Sequence, residues 1–135
     1  MHCKSWLKGD RAGFLEPDVV HFLHDQSIRE WGGYYGLRDE ALLASALNRP
    51  RDRLAYEPET TLPRLAAAYA FGIAKNHAFL DGNERTAWSC CVLFLKINGV
   101  EVRIPAIESV ETVVALAEGR VSEADFAGWL TDRSI

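Results

Sequence analysis

The stretch His77-Ala78-Phe79-Leu80-Asp81-Gly82-Asn83-Glu84-Arg85-Thr86 divides two apolar segments, and its reading decides the fold. On its N-terminal side Thr61 is a helix N-cap with Pro63 in the first turn. Leu62, Ala66, Tyr69 and Ile73 then follow at spacings of four, three and four, the stripe of one helix face. The next step of four is His77. On the C-terminal side the run from about Asn83 to Ile97 reads as a strongly apolar helix that Asn98-Gly99 stops, and it is predicted to be the central, buried one. Polar residues crowded between two buried helices call for a chemical reason.

A helix that starts near Gly82-Asn83 presents free backbone N–H groups and the positive end of its dipole, and Gly82 lets a ligand approach the main chain closely. Such a terminus favours anions. Asn83 adds an amide donor and Arg85 a planar guanidinium suited to phosphate oxygens, with Glu84 between them. Asp81 is placed to hold a magnesium ion beside those phosphates. His77, at the end of the preceding helix, is placed to take a proton from an incoming hydroxyl. Taken singly each residue has a plainer reading: a structural histidine, turn and N-cap chemistry for Asp81-Gly82-Asn83, a surface charge for Arg85. Their concentration within nine positions is what points to phosphoryl or nucleotidyl transfer.

Working outward, a first helix starts near Glu16 with Pro17 in its opening turn, carries Val20, Phe22, Leu23 and Ile28, and stops at Gly32-Gly33. A second, short helix runs from about Asp39 to Asn48 and is ended by Pro50. Residues 53–61 lack a helical stripe, and Leu54-Ala55-Tyr56 reads as an extended edge in an exposed flap. After Ile97, residues 100–104 alternate over too short a span for an independent sheet. Helices follow around Ile107 to Glu118 and, capped by Ser122 with Asp125, on to Asp132. The expectation is a single all-α domain over residues 15–135, a compact helical bundle with a central buried helix, preceded by a flexible N-terminal arm over residues 1–14.

Composition narrows the function classes. The 135-residue chain is 48% hydrophobic, which suffices for one core. Its formal net charge of -4 argues against surface-wide attraction to nucleic acid or anionic lipid. With no apolar run of membrane-spanning or signal-peptide length, a cytoplasmic location without membrane contact is expected. The three cysteines fit it, since Cys90 and Cys91 are adjacent within an apolar run and no zinc-ligand spacing occurs.

The pattern His77-x-Phe79-x-Asp81-Gly82-Asn83-x-Arg85 resembles the signature of the Fic/Doc family. Thr86-Ala87 and Leu93-Phe94-Leu95-x-x-Asn98-Gly99 are similar to its Doc (death on curing) branch, as are Gly32-Gly33, Gly36-Leu37-Arg38-Asp39 and Ala67 to Ala74. The resemblance implies a toxin of a toxin-antitoxin module that transfers the terminal phosphate of ATP, with Mg2+, to a hydroxyl of a translation factor similar to elongation factor Tu, blocking translation. It also implies a Phd-like antitoxin partner whose disordered tail folds on the toxin. In these terms His77 is the general base, Asp81 the magnesium carboxylate, and Gly82, Asn83, Glu84 and Arg85 the phosphate and nucleotide group. Phe79 anchors the loop, and Leu54, Ala55 and Tyr56 form a target-docking flap.

Three departures bear on the activity. Trp88 stands where AMP-transferring members carry a second arginine, which argues against AMP transfer. Glu84 stands where those members have glycine and Doc-like ones lysine; its size agrees with the Doc orientation of the nucleotide, whereas its charge repels a polyphosphate. Ala78 replaces a common proline. Also absent is the inhibitory helix that some Fic enzymes carry, since Glu118-Gly119 has Val114 four positions earlier where a hydroxyl residue is required. Two alternatives follow: AMP or other nucleotidyl transfer, and a protein impaired by Glu84 that binds antitoxin in a regulatory role.

Overall fold

The computed structural model describes residues 7–135. Its elements are six helices, with no strand among the described residues: α1 (Pro17–Trp31), α2 (Glu40–Tyr56), α3 (Leu62–Asn76), α4 (Asn83–Ile97), α5 (Ala106–Ala117) and α6 (Glu123–Asp132). None is long and apolar enough to cross a membrane.

The centre of the bundle is α3, not the α4 expected from its apolar composition. Eleven of the fifteen residues of α3 are buried, against seven of fifteen in α4. The cause is side-chain size. The segment Ala66-Ala67-Ala68-Tyr69-Ala70 lets α2, α4 and α6 pack around one axis. Closest approach falls at Gly72, where a Cβ would lie 3.0 Å from Ala46 Cα and 3.2 Å from its carbonyl oxygen. Large side chains from α4 complete the core: Phe94 packs on Tyr69 and on Phe14, while Cys90 and Cys91 are fully buried with free thiols. Desolvation pushes the Cys90 thiol up to about 12 and that of Cys91 in the same direction.

Two expectations fail around α2. Pro50 lies inside the helix and does not end it. Proline removes one hydrogen bond, the one to Ala46, costing about 3 kcal/mol in an exposed helix. Here the next turns recover support from outside: Arg49 and Arg53 both pair with Glu123 at the start of α6, and Arg53 also pairs with Glu57 one turn on. Leu54 packs against the core. Leu54, Ala55 and Tyr56 are therefore the last helical turn of α2 and not an extended flap. Where the N-terminal arm is described it makes contacts with the bundle: Leu7 is buried, Gly9 N–H donates to the Thr60 carbonyl, and Gly13 exchanges hydrogen bonds with the Asn98 side chain. The rest of the expected arm, residues 1–6, lies outside the described residues.

The termini read from capping chemistry hold. Pro17 opens α1, Thr61 caps α3 by accepting from Arg64 N–H, and Ser122 caps α6 by accepting from Asp125 N–H. Residues 100–104 form only an isolated bridge, Val102 to Ser134.

Candidate phosphate site at the start of the fourth helix

The loop from His77 to Gly82 is built from its buried residues outward. Phe79 is inserted in the core, stacked on the buried imidazole of His24 with ring centroids 3.8 Å apart. His24 Nε2 in turn lies 2.8 Å from the Asp81 carbonyl oxygen. Asn83 closes the loop: its Oδ1 accepts from Phe79 N–H at 3.1 Å and its Nδ2 donates to the Phe79 carbonyl at 3.0 Å. Asn83 is thus buried with both amide atoms bonded to Phe79, and the free phosphate donor expected from the sequence is instead a clamp on the loop. The sequence reading missed His24 altogether. Its signal was a polar residue in the apolar series Val20, His24, Ile28, at steps of four on the buried face of α1.

With the loop held, α4 begins beneath the Arg85 side chain, and its N-cap Gly82 and first residue Asn83 are buried. Gly82, its N-cap, is in the left-handed region (φ 72°, ψ 23°), and no side chain caps the helix. The first-turn amides of Asn83, Glu84 and Arg85 have no intrahelical carbonyl to bond. The Arg85 guanidinium folds back over this start: a Cβ on Gly82 would sit 3.0 Å from Arg85 Nη2, which also donates to the Gly32 carbonyl at 3.1 Å. Only glycine satisfies both the backbone angle and the space.

Asp81 presents its carboxylate at the same terminus. Oδ1 accepts from Gly82 N–H at 2.8 Å and Oδ2 from Tyr34 N–H at 3.3 Å. Each oxygen keeps lone-pair capacity for a cation. No group of three His, Cys, Asp or Glu side chains gathers for a metal among the described residues, so a cation here would have this one carboxylate and otherwise water or ligand oxygens, a set that suits magnesium.

His77 caps the C-terminus of α3 in the left-handed region (φ 50°, ψ 49°), and its side chain faces solvent. Its Nε2 lies 4.0 Å from Glu84 Oε2, so the residue unusual by charge sits beside the candidate base. Trp88 packs against Trp129 and lines a cleft of about 640 Å3 between α1, α4 and α5, with Leu23, Trp31, Val110 and Val113 as further apolar wall and Glu30, Glu84 and Arg85 as its charged residues.

The segment that lies along the loop is 32–39. Gly36 accepts from Leu80 N–H, Leu37 bridges to Phe79, and Arg38 and Asp39 N–H both donate to the Ala78 carbonyl. Gly33 makes this approach possible, since at φ 118° a Cβ would lie 2.6 Å from Asp81 Oδ2. No hydrogen bond reaches the loop from Leu54, Ala55 or Tyr56. Tyr34, Tyr35 and Leu80 are exposed beside the site.

A helix start without a side-chain cap, an arginine folded over it, and a histidine and an aspartate on the loop leading to it define a helical protein with a candidate anion site. Comparison with known proteins makes the class specific. The family model described as "Fic/DOC family" matches residues 14–95. The chain is 34% identical over 116 residues to the protein kinase doc of Escherichia phage P1, covering 86% of this chain and 91% of that protein. It is also 44% identical over 75 residues to the toxin Doc of Mycolicibacterium smegmatis, covering 53% of this chain and 56% of that one. The chain belongs to the Fic/DOC family.

Proposed function

We propose that this protein is a Doc-like toxin that transfers the terminal phosphate of ATP to a hydroxyl of a translation factor similar to elongation factor Tu. The observation that carries the reading is the glycine-capped start of α4, which no side-chain hydrogen bond caps, with the Arg85 guanidinium against it and a solvent-facing His77 beside it. The free amides and the guanidinium grip the transferred phosphate, concentrating positive charge where negative charge builds up in the transition state. The target hydroxyl oxygen bonds to the γ-phosphorus as the bond to the β–γ bridging oxygen breaks. ADP leaves, and the hydroxyl proton passes to His77. Magnesium held by Asp81 would neutralise charge on the phosphates. Trp88, packed on Trp129, offers no cation for a longer phosphate tail, which favours terminal-phosphate over AMP transfer.

The partner in this reading is a Phd-like antitoxin whose tail orders on the toxin, and the apolar cleft between α1, α4 and α5 is the surface suited to it. Labelled ATP and purified elongation factor Tu test the transfer. Label is expected on the factor with wild type and not with His77→Ala; no transfer by wild type, and none gained in Glu84→Lys, defeats it.

One observation favours a second reading. Glu84 beside His77 places a carboxylate where the nucleotide's phosphates approach, which suits an impaired protein that binds antitoxin in a regulatory role. Growth arrest on expression that vanishes in His77→Ala excludes it; harmless expression with tight antitoxin binding supports it.

A further inference from the structure

His77 is the single non-glycine residue with positive φ among the described residues. L-residues pay for that conformation, and it persists only where neighbours hold it. The neighbour here is Arg38. Its Nη2 donates at 2.6 Å to the His77 carbonyl and at 3.2 Å to the Asn76 carbonyl, while its Nε donates to the His77 carbonyl at 2.8 Å. These two carbonyls belong to the peptide planes on either side of the His77 Cα, and φ and ψ of His77 are the rotations between those planes. One guanidinium therefore bridges the pair of planes whose relative orientation aims the imidazole. Arg38 N–H fixes the next carbonyl as well, that of Ala78, at 2.7 Å.

The clamp is rooted in a rigid element. Arg38 directly precedes Asp39, whose carboxylate caps α2 by accepting from Leu42 N–H, and Asn76 Nδ2 donates to the Leu42 carbonyl. No ion pair among the described residues engages Arg38. Its donors go to the last carbonyls of α3, groups that a helix end leaves without partners and with partial negative charge. A lysine cannot reproduce this, because its donors radiate from one atom and lack the planar fork.

We infer that Arg38 is a positioning residue for the base: it locks His77 in the left-handed conformation from which the imidazole faces the start of α4. The inference rests on the proposed role of His77 for its kinetic consequence, but its structural half does not. The test compares wild type, Arg38→Lys and Arg38→Ala in two assays. Three-bond amide couplings measured by NMR read φ at residue 77, and steady-state phosphate transfer from ATP to elongation factor Tu reads kcat and KM separately.

In Arg38→Ala residue 77 is expected to leave positive φ. Its kcat is expected to fall on the order of tenfold to a hundredfold, the cost of misplacing a reacting group, with KM for ATP within about twofold. Added guanidinium is expected to restore part of the loss in Arg38→Ala, and Arg38→Lys to fall between. Unchanged φ and kcat in Arg38→Ala overturn the inference, as does a rise in KM alone. Should Arg38→Ala not fold, Arg38→Lys decides by the same criteria. A wild type without transfer activity counts against the proposed function, and the coupling measurement then decides the clamp alone.

Discussion

Asn83→Ala is expected to cost stability, a role the sequence reading did not give this residue. The substitution strands two buried main-chain groups, the N–H and the carbonyl of Phe79, which now bond Asn83 at 3.1 and 3.0 Å. A buried polar group left without a partner costs about 1–3 kcal/mol, so two cost about 2–6 kcal/mol, less whatever entering water recovers. Because Phe79 anchors the loop, the loss extends to the stack on His24. The assay is urea unfolding followed by circular dichroism and tryptophan fluorescence. With a slope of about 2 kcal/mol per molar, the midpoint is expected to drop by about 1–3 M. Asn83→Asp is expected to fall as well, since a carboxylate cannot donate to the Phe79 carbonyl and buries a charge. A midpoint within about 0.2 M of wild type, with weakened ATP binding as the only defect, would refute the clamp and restore the phosphate-donor role.

Gly33→Ala is expected to lower the melting temperature and weaken magnesium-dependent ATP binding, because the new methyl would displace the Asp81 carboxylate; calorimetry and titration check both. Glu108 governs part of the acid response. The Trp129 indole N–H, and after it the Arg133 guanidinium, hold its carboxyl below the usual value near 4.5. A depressed folded value means the contribution is complete above that usual value and is lost as pH falls through the lowered one. Urea midpoints measured from about pH 5 to pH 3 are therefore expected to fall less steeply in Glu108→Gln than in wild type. In a Cys3→Ser background, Cys90 and Cys91 are expected to resist a thiol reagent in native buffer and to react on unfolding, since both thiols are buried and protonated.

The helix boundaries set by local chemistry were readable without coordinates, because Pro17, Thr61 and Ser122 act on amides within three residues of themselves. The course of α2 was not. Pro50 is a local stop signal, and what overrides it is Glu123, more than seventy residues away. Small side chains likewise concealed the centre of the bundle: hydrophobicity ranks Phe94 and Leu95 above the alanines of α3, whereas close packing favours the alanines. At the site, residue types marked the loop and the ligand class they suit. Which atoms remained free depended on tertiary partners, so Asn83 turned inward to Phe79, and His24 and Arg38 entered from α1 and from the approach to α2. That residues 36–39 lie along the loop had little side-chain signature, since their bonds to Ala78 and Leu80 join main-chain atoms.

The central claim is that the start of α4 binds phosphate, and isothermal titration with ATP, with and without magnesium, tests it on wild type and Glu84→Lys. Wild type is expected to bind ATP, more weakly without magnesium. Exposed charge pairs contribute about 0.2–1 kcal/mol each. Reversing the charge at 84 removes a repulsion and adds an attraction toward a multiply charged phosphate, so Glu84→Lys is expected to bind about 5- to 150-fold more tightly, or about 1–3 kcal/mol. No heat of binding from wild type, and none gained in Glu84→Lys, would contradict the claim.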